Sequence, residues 1–388
     1  MLRARSIAWV CVLGFAGCSA APAPEAPREV GPSTLASAEA PKGPPRVDAA
    51  REVEATPQPA DTRSCTPIPG LTRLSIVGGR PVGVTAEGLW ALDVAGARPD
   101  PGGKGWPLQA AGTSEVDARG DSLEGAVLLS TDASGTAGAA RKNEVHRRRS
   151  GAWSRALAPG GATYVDVAAA GPHVVAIASS RSNRPTLVSL GSEGDARSPR
   201  RTFVPSEPPA SACAPRGPAD VEVSPTGLVA VARLGCESRR EWLEIFEPTA
   251  GSRGYVPVTE PKGSWVALAW LGGGALLGVV EIPGEPRPRR ALHRIDALAS
   301  TPVGGQLLDA TSTLSPGAGG TVLVTTELGH FVVDATGAPS EVQPWPAALG
   351  VRALGTRRVS RVAVGQDGAL YVEVTDDATS VVRCHSSP

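Results

Sequence analysis

One strand–turn–strand unit recurs along this chain, and no other feature of the sequence restricts the fold as tightly. Leu74-Ser75-Ile76-Val77 runs into Gly78-Gly79, Val165-Asp166-Val167-Ala168 into Gly171-Pro172, and Val221-Glu222-Val223-Ser224 into Pro225-Thr226-Gly227. Further copies begin at Val116, Val266, Ser312 and Val362, and a second apolar segment follows each turn. Short apolar runs punctuated by Gly, Pro, Asp and Asn are the pattern of antiparallel strands. The residues preceding the first strands are Arg73, Glu115, Tyr164, Asp220, Trp265, Thr311 and Arg361, spaced by 42, 49, 56, 45, 46 and 50. All-β repeats of this length predict an all-β fold, a β-propeller of seven blades with four strands each. The 46 Gly and 37 Pro among 388 residues agree, because breakers this dense exclude a helical bundle or coiled coil.

The last copy is short. Arg361 to Cys384 holds only three strands, and a ring avoids sticky edges by sharing strands between its first and last blades. The segment around Cys65 is expected to supply the missing outer strand beside Ser380 to Cys384. Four cysteines remain in the body of the chain, Cys65, Cys213, Cys236 and Cys384, and they permit three pairings. Proximity favours Cys213 with Cys236, leaving Cys65 with Cys384 to staple the seam. A zinc site is the rival, but there is no Cys-x-x-Cys pair and only His385 lies near a cysteine.

Val223-Ser224-Pro225-Thr226-Gly227-Leu228-Val229-Ala230 resembles the Ser-Pro-Asp-Gly repeat of WD40-like and Tol-type bacterial propellers, with Thr226 in place of the usual Asp. Asp367-Gly368-Ala369-Leu370-Tyr371-Val372 and Gly88-Leu89-Trp90-Ala91-Leu92 are similar to strand motifs of other bacterial propellers. The resemblance implies the fold for about residues 65–384 and no activity.

The N-terminus reads as an address. Arg3 and Arg5 precede an apolar run, Ile7 to Phe15, that is too short to span a bilayer. Phe15-Ala16-Gly17-Cys18 resembles the lipobox of bacterial lipoproteins. That resemblance implies a signal peptide at 1–17, acylation of Cys18 and, with Ser19 next, attachment to the outer membrane, on its periplasmic or surface face. Residues 18–61 are rich in Ala, Pro, Glu and Ser and bury too little to order themselves, so a disordered linker is expected. At about 3.1 Å per residue it reaches roughly 100 Å. The propeller domain then covers 62–388.

Catalytic motifs do not assemble. Gly120-Asp121-Ser122-Leu123 matches an esterase nucleophile block but sits in a turn, without the late Asp-x-x-His that chemistry needs. Gly102-Gly103-Lys104-Gly105 lacks the remaining positions of a phosphate loop. The five histidines have no metal-ligand spacing, Asp376-Asp377 lacks calcium-loop spacing, and no cofactor is expected. Basic clusters at His146–Arg149, Pro199–Arg201 and Arg287–Arg290 read as solvated edge charges. With 38 basic and 38 acidic side chains the formal charge is zero, giving no global field for nucleic acid.

Geometry then directs attention to the channel mouth where the innermost strands begin. The register places Arg73, Glu115, Tyr164, Asp220, Trp265 and Arg361 on that rim, a mixture of aromatics and charges suited to a peptide or sugar. Trp90, Trp242 and Trp270 read as blade packing. The expected function is a membrane-anchored, non-catalytic binding or scaffolding propeller of the cell envelope, with an envelope protein, peptide or glycan as partner. The alternative is a polysaccharide hydrolase or lyase using carboxylates such as Asp117, Asp166 and Glu222.

Overall fold

The computed structural model describes residues 63–385 with interruptions, the longest at 102–112, 133–142 and 191–200. The expected signal peptide, Cys18 and the expected linker lie outside the described residues, as do Gly102–Gly105 and Asp121–Gly125. Among the described residues no helix is long and apolar enough to cross a membrane.

Twenty-eight strands build seven antiparallel sheets of four strands each among the described residues, and the fold is a β-propeller. The inner strands of the seven sheets, in chain order, are Leu74–Val77, Thr113–Arg119, Thr163–Ala170, Pro218–Val223, Ser264–Trp270, Leu314–Pro316 and Arg358–Val364. Each of the first six sheets follows a simple meander, as in the fourth: Pro218–Val223, Val229–Arg233, Trp242–Glu247 and Gly251–Pro257. The seventh breaks the rule. Its outermost strand is Ser64–Pro67, from the start of the domain, which pairs antiparallel with Thr379–His385 in the register Cys65↔Cys384. Those two cysteines are bonded, and so are Cys213 and Cys236.

Turn chemistry explains why the strands reverse where they do. In Ser224–Leu228, Leu271–Ala275 and Gly365–Ala369 the first amide donates to the fifth carbonyl, at 2.8 Å each time. The fourth position is a glycine at φ 86°, 82° or 74°, the left-handed region that favours glycine. In the Ser-Pro-Thr-Gly copy, the hydroxyls of Thr226 and Ser224 lie 2.9 Å apart, and Ser224 Oγ also accepts from Leu228 N. The threonine thus still braces the turn from the place where Asp is usual.

Between the sheets the core divides into seven apolar clusters, each shared by two sheets. Val77, Leu89, Ala118 and Trp153 join the first to the second. Val145, Tyr164 and Ala176 join the second to the third, and Ile177, Val221 and Phe246 the third to the fourth. Leu243, Trp265 and Val280 link the fourth to the fifth, and Leu277, Val324 and Phe331 the fifth to the sixth. Leu323, Trp345 and Val372 link the sixth to the seventh. The last cluster, with Leu74, Leu92, Ala363 and Tyr371, packs the seventh sheet on the first.

Trp265 shows how tightly these seams are filled. It is 1% exposed, lies edge-on to His293 at 5.9 Å, and covers Gly278 on the neighbouring strand. A methyl group added at Gly278 would meet the indole at 2.5 Å. Gly278→Ala is therefore expected to destabilise the fold by about 1–3 kcal/mol. Urea unfolding followed by tryptophan fluorescence checks this; a stability equal to the parent would contradict the packing described.

Two basic clusters depart from the solvated edge expected of them. His146 and Arg148 are each 8% exposed, and His146 Nε2 lies 3.2 Å from a Glu144 oxygen. Burial holds the His146 imidazole below its ordinary pKa, against the pull of Glu144. Arg290 donates to Glu281 and, through Nη1, to the Ser312 carbonyl in the next sheet's approach. Arg290 thus ties the fifth sheet to the segment that leads into the sixth.

Candidate functional site

A cavity of about 510 Å³ touches all seven sheets. Ile76, Ala118, Ala170, Glu222, Trp270, Ser315 and Arg361 border it, one from the inner strand of each sheet in turn. Among the described residues, Glu222 and Arg361 are its charged lining residues and Trp270 its aromatic one, with Thr313, Ser315, Thr321 and Ser360 adding hydroxyls. Most of the lining comes from the ends of the inner strands and the hairpins that follow them.

Those hairpins approach each other backbone to backbone. Gly78 N donates to Gly120 O at 2.5 Å, from the first sheet to the second, and Gly272 N donates to Gly320 O at 2.8 Å, from the fifth to the sixth. A Cβ at Gly79 would stand 2.7 Å from Gly317 O, so the hairpins of the first and sixth sheets also touch. Only glycine permits contacts this close at these positions. The cavity is narrowed at this end by main chain.

Several of the hydroxyls are already committed within the protein. Ser360 Oγ donates to Glu373 Oε1 at 2.7 Å, Thr313 Oγ1 lies 2.7 Å from Thr325 Oγ1, and Thr321 Oγ1 donates to Ala318 O at 2.9 Å. Arg361 Nη1 donates to Leu74 O at 3.2 Å, fixing the guanidinium where the seventh sheet meets the first. Glu222 and Trp270 join Arg361 as the charged and aromatic side chains in the described lining.

The six residues expected on the rim do not stay together. Arg361 borders the cavity, and the Glu115 side chain lies outside those described. Arg73 lies 3.5 Å from Glu373 and is 40% exposed. Glu115 is on the strand Thr113–Arg119, opposite Thr131. Asp220 lies 3.1 Å from Arg240. Tyr164 and Trp265 are each 1% exposed and belong to the clusters between sheets, which corrects their placement at a docking surface. Burial drives the Tyr164 phenol up to about 12.

A recurring β-bulge causes the correction. Five inner strands slip register near their start, between Thr113 and Glu115, Tyr164 and Asp166, Pro218 and Asp220, Trp265 and Ala267, and Val359 and Arg361. A bulge adds one residue and so reverses which face the side chains meet. Tyr164 packs back on the second sheet, whereas Asp166, just past the bulge, reaches the fourth. The structural counterparts of Glu115, Asp220 and Arg361 are Asp166 and Ala267, not Tyr164 and Trp265.

Trp270 packs on the cluster between the fourth and fifth sheets, as expected, and it also borders the cavity. Trp90 does pack between sheets, and Trp242 lies edge-on to Tyr255 while its Nε1 donates to Cys213 O at 2.7 Å. Of the three carboxylates weighed for hydrolysis, Asp166 accepts from two main-chain amides, Val167 N at 2.9 Å and Val221 N at 3.0 Å. Glu222 borders the cavity. The Asp117 side chain lies outside those described.

No family model matches the sequence, and no curated protein matches it. Solved structures similar to the chain include the β-propeller domain of the Trilobed protease from Pyrococcus furiosus, at 10% identity and a TM-score of 0.46 over 71% of this chain and 81% of that one. YCF48 from Cyanidioschyzon merolae is 11% identical, with a TM-score of 0.46 over 84% and 99%. The extracellular domain of the one component system BT4673 from B. thetaiotaomicron is 10% identical, also at 0.46, over 85% of this chain; the match spans 40% of that longer chain.

Proposed function

We propose that residues 62–388 form a closed ring of seven blades that binds its ligand in the central channel without transforming it. The observation that carries this reading is the cavity bordered by the inner strand of every sheet, with Glu222, Arg361 and Trp270 in its described lining. Apolar clusters running from each sheet to the next, and from the seventh back to the first, support the closed arrangement. A concave site with a few polar groups on a rigid frame is suited to capture. Hydrolysis of a glycan needs two carboxyl groups across a cleft. Glu222 borders the cavity, while Asp166 is held by main-chain amides at the sheet junction, so the lining favours binding over that chemistry.

The ring is carried at the cell envelope, in this proposal, by a lipidated Cys18 and the linker 18–61, and its ligand is an envelope peptide or glycan. Cys18→Ser is expected to shift the protein from the membrane to the soluble fraction.

Binding is tested with Glu222→Gln, Arg361→Gln and Trp270→Ala against arrays of envelope peptides and glycans, with calorimetry on the hits. Losing a hydrogen bond to a charged group is worth about 1.5–3 kcal/mol, so each charge substitution is expected to weaken binding about 10- to 100-fold. Hits that bind all three variants as tightly as the parent would place recognition elsewhere. Turnover of a glycan by the parent, lost in Glu222→Gln, would favour the hydrolase.

A further inference from the structure

The hairpins give the inner strands a common scale. In Ser224–Leu228, Gly317–Thr321 and Gly365–Ala369 the first amide donates to the fifth carbonyl at 2.8 Å, so the first residue of each turn marks a matching level of its sheet. Glu222 stands two residues before its turn, on the fourth sheet, and Arg361 four residues before its own, on the seventh. Strand residues advance about 3.3 Å each, so Arg361 starts about 7 Å farther from the hairpin end than Glu222. From both residues to their turns the pairing runs without a slip, and an even count places both side chains on the same face of their sheets. Ser315 and Thr313 hold the matching positions of the sixth sheet, and all four border the cavity.

The acid and the guanidinium are therefore set apart in two ways, by level and by sheet. On the first three sheets the lining includes the apolar Ile76, Ala118 and Ala170. On the fifth, Trp270 stands one residue before the turn Leu271–Ala275, within one residue of the level of Glu222 on the adjoining sheet. A carboxylate beside an indole suits an ammonium group, attracted by the one and stabilised over the face of the other. A guanidinium suits a carboxylate, which its fork can meet with two parallel hydrogen bonds. The bond from Arg361 Nη1 to Leu74 O holds that fork in place. A ligand of single charge would set it against the like charge in the wall. A neutral sugar would offer both groups weaker partners than an ion does.

We propose that the cavity takes a short peptide with both ends free, its amino terminus against Glu222 and Trp270 and its terminal carboxylate against Arg361. The inference rests on the binding channel proposed above and narrows its ligand. Length follows from the spacing of the two charges. In a single amino acid only one carbon separates them, too little to reach both levels. An extended chain covers at most about 3.3–3.6 Å per residue, so three residues span about 10 Å, enough for the 7 Å step and part of the width. A cavity of about 510 Å³ is of the size that holds small ligands. The amino terminus lies toward the end narrowed by the bonds Gly78 N to Gly120 O and Gly272 N to Gly320 O, so the peptide enters with that terminus first.

The probes are a tripeptide library with free ends, the same library N-acetylated, the same library C-amidated, and maltotriose. Each is offered to the full protein by equilibrium dialysis, with calorimetry on the tripeptide retained best. Either cap is expected to weaken binding by the parent about 10- to 100-fold. Each variant should cancel one cap only. Glu222→Gln removes the penalty of acetylation and leaves that of amidation, and Arg361→Gln does the reverse. No retention of free tripeptides, capped and free forms bound equally, or maltotriose retained in their place would overturn the peptide assignment. Capped peptide or maltotriose binding that Trp270→Ala abolishes would still leave the ligand in the channel. A free tripeptide bound equally by the parent and all three variants would sink both readings. The caps are read on the parent, so the test stands even where a variant fails to fold.

Discussion

Replacing both Cys65 and Cys384 by alanine is expected to cost about 4–5 kcal/mol, the upper end of the range for a single disulfide. The reason is the length of chain the bond closes. Cys65 and Cys384 are 319 residues apart, against 23 for Cys213 and Cys236, and the entropy withheld from the unfolded chain grows with the logarithm of that number. Local structure compounds the loss. Ser64–Pro67 is a four-residue edge strand, half-exposed to fully exposed, held by its pairing with Thr379–His385 and by the bonds Ile68 N to Val381 O and Val381 N to Leu71 O. Denaturant titration of the double variant without reductant measures the effect. The midpoint should fall further than in the matching Cys213/Cys236 double variant, for which the same model gives about 3 kcal/mol. The opposite order would mean that the seam bond does little to hold the fold.

Glu373→Ala is expected to cost about 1–3 kcal/mol. The Glu373 side chain is 1% exposed, on the second strand of the seventh sheet, and it serves three partners. Oε2 accepts from Leu74 N of the first sheet at 2.7 Å, Oε1 accepts from Ser360 Oγ at 2.7 Å, and Arg73 lies 3.5 Å away. Alanine leaves the Leu74 amide buried without its acceptor, while Ser360 Oγ keeps the residue-373 carbonyl at 3.2 Å, and the unmet desolvation of that amide sets most of the cost. Glu373→Gln keeps an acceptor and should cost clearly less. Glu373 and the Cys65–Cys384 bond fasten the same junction, so their combined effect should be less than additive in a double-mutant cycle. Full additivity would separate the two into independent structures.

The repeat was legible because an antiparallel sheet writes itself into sequence twice, as alternation and as turn residues. Val221–Val223, Val266–Ala269 and Val362–Val364 all stand in inner strands as the alternation requires, and the glycines at 227, 274 and 368 lie in the turns that follow them. The cysteine pairing was legible because a three-stranded last repeat and a cysteine at each end of the domain constrain each other. The rim was misread because a β-bulge carries no sequence signature of its own. One inserted residue sends Tyr164 and Trp265 to the opposite face from Asp166 and Ala267, and only the pairing register reveals it. Counting back from the hairpin instead of taking the residue before the apolar run would have found Asp166. The cavity was hidden for another reason. Gly79 and Gly317 are far apart in sequence and meet through the curvature of the whole molecule, which no local pattern encodes.

Spin labels on the exposed hairpin positions Arg80, Thr226 and Gln366 test the ring itself, since these lie in the first, fourth and seventh sheets. The native cysteines are all bonded within the domain, so labels attach at the introduced sites. Sheets stack about 10 Å apart, and an open row of seven would hold its ends roughly 60 Å from each other. A closed ring predicts that the 80–366 distance by pulsed dipolar spectroscopy is shorter than both 80–226 and 226–366. Finding 80–366 to be the longest of the three would contradict the closed seven-sheet ring and remove the channel on which the proposed function depends.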